Sequence, residues 1–127
     1  MTRQILVVED DFAIAQTLLF ALRLLPDVEV NRAVNAEEAL QFLGQQSADI
    51  ILTDHHMHGM SGVDMVRHLR SQGLTQPMML ITAYDTIQLQ REAREAGINE
   101  IVPKPFQIDQ LLAQVSDLLA NPQKVNS

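Results

Sequence analysis

Residues 4–11 read Gln4-Ile5-Leu6-Val7-Val8-Glu9-Asp10-Asp11, and residues 50–54 read Ile50-Ile51-Leu52-Thr53-Asp54. Each is a short apolar run that stops at acids. Such a run, without polar alternation, fits a strand covered on both faces, as in a parallel sheet. Working outward, the strand segments are Gln4–Val8, Val28–Val34, Asp49–Thr53, Pro77–Thr82 and Glu100–Val102. Val28–Val34 is the most mixed of the five and fits an edge strand.

Helical patterns fill the intervals. Phe12–Leu25 spaces Ile14, Leu18, Leu22 and Leu25 by three and four residues. Ala36–Gln45 follows Asn35, with Glu38 three residues on, the pattern of a capping box, and Gly44 lies near its end. Val63–Ser71 precedes Gly73, and Thr86–Ala96 stops at Gly97. Ile108–Leu119 carries Leu111, Leu112, Val115, Leu118 and Leu119. The thinnest apolar stripe is that of Thr86–Ala96, which predicts the weakest anchorage. Strands alternating with helices predict an α/β fold: one parallel sheet, helices on both faces, right-handed crossovers.

The chain has 127 residues, the length of one domain at about 100–200 residues each. Residues 1–120 read as that domain and 121–127 as a polar tail or the start of a linker. Hydrophobic residues make up 46%, enough for a core and too many for a disordered chain. The net charge of -7 speaks against direct nucleic acid binding. With a cysteine count of 0, disulfide scaffolds and thiolate metal sites are excluded. No segment has the pattern of a signal peptide or a membrane span, so the expected location is the cytoplasm and no membrane contact is expected.

In open α/β sheets, ligands bind beyond the carboxyl ends of the strands. There the first strand offers Glu9, Asp10 and Asp11, and the third offers Asp54. The fourth ends in Thr82, and the fifth runs through Pro103 into Lys104. Crowded carboxylates raise each other's proton affinity, a conflict that a hard divalent cation removes. Magnesium takes one or two carboxylates, waters and a phosphate. A carboxylate can itself accept a phosphoryl group. Such transfer needs positioning and charge neutralisation, which a metal, Lys104 and the Thr82 hydroxyl would supply. Taken singly, each residue has an ordinary reading: a solvated helix start for the acids, a surface lysine, a strand-ending threonine. Their joint position at strand ends is the specific signal.

These residues resemble the receiver domain of bacterial two-component response regulators. The resemblance spans Ile5 to Leu119. It rests on Val8-Glu9-Asp10-Asp11, on Asp54 through Gly62, on Thr82-Ala83 and on Lys104-Pro105-Phe106. It implies a flavodoxin-like, doubly wound sheet of order 2-1-3-4-5 with five helices. It implies that Asp54 is the phosphoacceptor and that Asp10, assisted by Glu9, binds Mg2+ together with Asp54 and the backbone carbonyl of His56. Thr82 would be the switch hydroxyl, Lys104 the family's lysine, Pro105 the cis-bonded proline after it, and Gly62 the glycine of the loop after Asp54. The implied donor is a phosphohistidine on a sensor histidine kinase or phosphotransfer protein. The implied readout, to a downstream effector protein or domain, uses the face of helix four, strand five and helix five. A homodimer is among the assemblies it allows. Such a domain catalyses only its own phosphorylation and slow dephosphorylation.

Three positions depart from the family pattern. His58 stands where a proline is common. Ile101 stands where an aromatic switch residue is usual, and it has no hydroxyl to turn. Tyr84 lies two residues after Thr82, beside the expected path of attacking water, where with His56 it would set the phosphate's lifetime. His55, His56 and His58 invite a transition-metal reading. In an extended chain only His56 and His58 would converge. Polar loop residues beside an acidic pocket are the plainer reading. His68 reads as a surface residue, Phe106 as an anchor for the last helix, and the methionines as packing.

Three other functions compete. A pseudo-receiver would keep the fold as an interaction module without phosphorylation. Its cues are Ile101 and His58, and the complete set of acids, Thr82 and Lys104 opposes it. A magnesium-dependent phosphohydrolase would place its nucleophile at Glu9–Asp11 and would need a cap and more chain. A flavin carrier would need glycine and hydroxyls where the three acids would repel its phosphate.

Overall fold

The structure is a computed structural model that describes residues 2–123. Five strands and five helices alternate: β1 (Arg3–Val8), α1 (Phe12–Leu22), β2 (Val28–Ala33), α2 (Ala36–Gln45), β3 (Ile50–Asp54), α3 (Gly62–Ser71), β4 (Met78–Thr82), α4 (Ile87–Ala96), β5 (Glu100–Pro103) and α5 (Ile108–Ala120). All neighbouring strands are parallel, in the order β2-β1-β3-β4-β5. The expected order, the helix count and the edge position of Val28–Ala33 are those of the structure.

The apolar runs explain the central strands. Every residue of β3 and β4 is buried, so neither face of these strands meets water. Alternation along them divides the core in two. Leu6, Val8, Ile51, Met78 and Leu80 pack with α2, α3 and α4. Ile5, Val7, Ile50, Leu52, Met79 and Ile81 pack with α1 and α5. Burying one such side chain stabilises the fold by about 1.5–3 kcal/mol, so these two layers carry most of the stability.

The helix ends are set by local chemistry. Asp11, Asn35, Ser61 and Thr86 each accept a backbone N–H from the first turn of the following helix. Thr86 therefore precedes α4 rather than beginning it. The box at α2 is partial, because Glu38 reaches the amide of Val34 and not that of Asn35. Gly97 ends α4 at φ 98°, a conformation that suits glycine. Helix α1 stops at Leu22, short of the expected Leu25, where Leu24 and Leu25 donate to carbonyls three residues back. Asp54 belongs to β3, one residue beyond the expected end. By fully buried side chains α2 is the thinnest helix, with Ala36 and Ala39, although Leu40, Phe42 and Leu43 pack half-buried against the core. Helix α4 buries Leu89, Ala93 and Ala96. The tail expected over 121–127 lies outside the described residues from position 124 onward. Among the described residues no helix is long and apolar enough to cross a membrane.

Candidate functional site

Because all five strands run the same way, their carboxyl ends share one edge. That edge brings Glu9 and Asp10 (after β1), Asp54 (the end of β3), Thr82 (the end of β4) and Lys104 (after β5) to one place. Glu9, Asp54 and Thr82 are among the few buried polar residues of a largely apolar core. Lys104 donates to Asp54 Oδ1 at 3.2 Å, 50 residues away in sequence, and to Glu9 Oε1 at 3.5 Å, 95 residues away. The Lys104–Pro105 peptide bond is cis. Phe106 packs half-buried against the α1–α5 side of the core.

The glycine after Ser61 is needed for close approach. A Cβ on Gly62 would collide with the Asp54 carbonyl oxygen and crowd Leu80 at 2.9 Å. Only glycine lets α3 begin this close to the phosphoacceptor candidate.

Oxygen atoms of Glu9, Asp10 and Asp54 lie within 4.8 Å of one another. Burial pushes the Glu9 carboxyl up to about 7, with Asp54 adding to the rise, while the Asp11 amide and Lys104 pull the other way. Burial also raises Asp10. The imidazole and the backbone amide of His58 outweigh it and hold this carboxyl below its ordinary value. A buried carboxyl that keeps its proton beside two other acids is a site short of positive charge. Three hard oxygen donors at this separation fit a divalent cation such as magnesium.

The histidines do not converge as expected. His55 and His56 meet edge-on, with ring centroids 4.8 Å apart, and His56 meets Tyr84 in the same way at 5.2 Å. His58 turns instead to Asp10, with Nδ1 3.2 Å from Oδ2. The loop after Asp54 leaves its extended course, so alternation does not govern its side chains. Among the described residues, the carboxylate group contains no histidine. His55 is half-buried against its neighbours, and burial lowers its proton affinity. His68 is exposed on α3.

The Thr82 hydroxyl accepts the Tyr84 amide at 3.0 Å, which ties it to the loop after β4. Ile101 packs half-buried against the α2–α3–α4 side of the core.

Comparison with known proteins gives the family. The family model described as the response regulator receiver domain matches residues 5–116. This chain belongs to that family. The receiver is 37% identical over 116 residues to the two-component response regulator PhoP of Pseudomonas aeruginosa, covering 91% of this chain and 51% of that protein. It is 33% identical over 119 residues to the response regulator MprA of Mycolicibacterium vanbaalenii, covering 94% and 51%. The receiver thus spans about half the length of the curated relatives it matches. Among solved structures, it resembles the receiver domain of Francisella response regulator 1452, with a TM-score of 0.87, 27% identity and 94% and 98% of the two chains covered. It also resembles the Vibrio cholerae chemotaxis protein CheY4, with a TM-score of 0.85, 26% identity and 92% and 98% covered.

Receivers as a class accept phosphoryl groups in signalling, interact with kinases and effector domains, and bind magnesium. Sequence reasoning singled out Glu9, Asp10, Asp54, Thr82 and Lys104, which the fold brings to this edge. It did not find the contact of His58 with Asp10, nor Arg32, whose guanidinium bonds the carbonyls of Glu9 and Asp10. Both join residues more than 20 positions apart, and no local spacing signals them.

Proposed function

We propose that this receiver takes a phosphoryl group from a phosphohistidine onto Asp54 in a magnesium-dependent step. The donor would be a sensor histidine kinase or phosphotransfer protein. The consequence would be altered binding to a downstream effector protein or domain. The observation that carries this reading is the ammonium of Lys104, 3.2 Å from Asp54 and 3.5 Å from Glu9, at the edge where Thr82 also ends its strand.

The chemistry follows from charge. An Asp54 oxygen attacks phosphorus, the phosphorus–nitrogen bond of the donor breaks, and the donor imidazole leaves. The three phosphoryl oxygens carry negative charge into a site already rich in carboxylates. Lys104 offsets part of that charge from one side, and the Thr82 hydroxyl, whose oxygen accepts the Tyr84 amide, keeps its own proton to donate to a phosphoryl oxygen. Magnesium, held by Glu9, Asp10, Asp54 and the backbone carbonyl of His56, would neutralise the remainder. Asp54 is buried and held by Lys104 and the His55 amide, so positioning would contribute to the rate.

The test is intact mass after incubation with acetyl phosphate, with and without magnesium, on the wild type and on Asp54→Asn. The expected result is a magnesium-dependent phosphoryl adduct that Asp54→Asn abolishes. An adduct surviving in Asp54→Asn would put the chemistry on another residue. No adduct with acetyl phosphate or with a phosphohistidine protein would make the domain a pseudo-receiver.

A further inference from the structure

We infer that Arg32 is a positioning residue for the magnesium site: its guanidinium grips the backbone of the Glu9–Asp10 turn and thereby sets the directions of those two carboxylates. The inference rests on the reading of Glu9, Asp10 and Asp54 as the metal-binding acids.

Arg32 lies near the end of the edge strand β2, in register with Val7. Alternation puts it on the face of Val28 and Val30, toward α1. Its Nε donates to the Glu9 carbonyl at 3.1 Å, and its Nη2 donates to the same oxygen at 2.9 Å. Nη2 also donates to the Asp10 carbonyl at 3.3 Å. One planar fork therefore fixes two consecutive peptide planes.

In a trans peptide the C=O and the following N–H point opposite ways. With the Asp10 carbonyl held toward Arg32, the Asp11 N–H must point away from it. There it donates to Glu9 Oε2 at 3.1 Å. The guanidinium and the Glu9 carboxylate thus hold one peptide plane from its two sides. Asp11, next in the chain, then caps α1 by accepting from Ile14 at 2.9 Å. The turn, its acids and the helix start are tied together.

Arg32 bonds carbonyl oxygens, so the carboxylates remain available to a cation. The ring of Phe12 stands 5.9 Å from the guanidinium carbon, within cation–π range. That contact accounts for an aromatic ring 65% exposed at the start of α1. Lysine would keep the charge and lose the fork, because an ammonium is a point donor.

The experiment is a magnesium chloride titration followed by backbone amide shifts, run well below each variant's melting midpoint, together with metal-free thermal melts. The proteins are the wild type, Asp10→Asn, Arg32→Ala and Arg32→Lys. Arg32→Ala is expected to weaken magnesium binding by about tenfold or more, within the range for groups that orient metal ligands. Arg32→Lys is expected to lose most of the same affinity, and it carries the test if Arg32→Ala does not fold. Wild-type affinity in Arg32→Ala would overturn the inference, even with a lowered melting point. Full affinity in Arg32→Lys would also overturn it, because charge alone would then suffice. A wild type that binds no magnesium, or an Asp10→Asn that binds as tightly, would instead remove the metal reading on which the inference stands.

Discussion

Asp10 and Asp54 are both acids, yet different partners hold them. His58 takes Asp10 with its imidazole and its amide, and Lys104 takes Asp54. We predict that Tyr84 governs the lifetime of a phosphoryl group on Asp54. Its backbone is tied to the Thr82 hydroxyl and its ring stands perpendicular to that of His56. The two rings meet between the loops after β3 and β4, and together they are expected to shield a phosphoryl group on Asp54 from water. Tyr84→Ala is expected to speed loss of the phosphoryl adduct by roughly threefold to tenfold, a change of about 1 kcal/mol in the barrier. The decay of the adduct by intact mass reads this directly, and an unchanged rate would remove Tyr84 from the role. The position of Tyr84 two residues after Thr82 was legible in the chain. The contact with His56 was not, because two separate loops bring the rings together.

At the scale of elements, α4 is held by its ends as much as by its apolar stripe. Thr86 caps the start, and Gly97 closes the end in a left-handed conformation. Arg70 of α3 then reaches over to that end. Its guanidinium donates to the carbonyls of Gly97, Leu74 and Gln76 and to the side chain of Asn99. Asn99 in turn accepts the amide of Met78 at the start of β4. A Cβ at Gly97 would stand 3.0 Å from Arg70, so glycine serves here both the turn and the close approach. Arg70→Ala would leave several half-buried carbonyls without their donor. It is expected to cost roughly 2–3 kcal/mol in chemical denaturation, the scale for hydrogen bonds to a charged group. Amide exchange should rise first at the carboxyl end of α4. A loss below about 0.5 kcal/mol, the range of ordinary surface changes, would contradict this account. The helix itself was legible from Leu89, Ala93, Ala96 and Gly97. Its fastening by Arg70 was not, since the side chain crosses 27 residues of sequence.

For the whole molecule, the acid edge links stability to pH. Glu9 titrates near 4.5 in the unfolded chain and keeps its proton to about 7 in the fold. Between those values the folded state binds the extra proton. The stability this supplies is fully present below 4.5 and is lost as pH rises through 7. Without magnesium, Glu9 should therefore pull the denaturation midpoint down between about pH 5 and about pH 7, against the opposite slope of His55, whose lowered proton affinity adds stability as pH rises. Glu9→Gln should flatten that slope, and magnesium should raise the wild-type midpoint most at the upper end. Identical profiles for the wild type and Glu9→Gln would show that Glu9 does not carry the linkage.

The alternation of strands and helices was legible in the chain, because apolar runs and apolar stripes are local patterns. So were the residues that end the strands, and a parallel sheet sends all those ends to one edge. Glu9, Asp10, Asp54, Thr82 and Lys104 were therefore readable as a group before any distance was known. How that group is held depends on contacts between distant parts of the chain. Lys104 spans Asp54 and Glu9, His58 turns from the other histidines to Asp10, Arg32 grips the acidic turn from the edge strand, and Arg70 fastens α4. The reason is physical. Periodicity records which face a residue takes on its own element, while the partner of a long polar side chain depends on where other elements end in space.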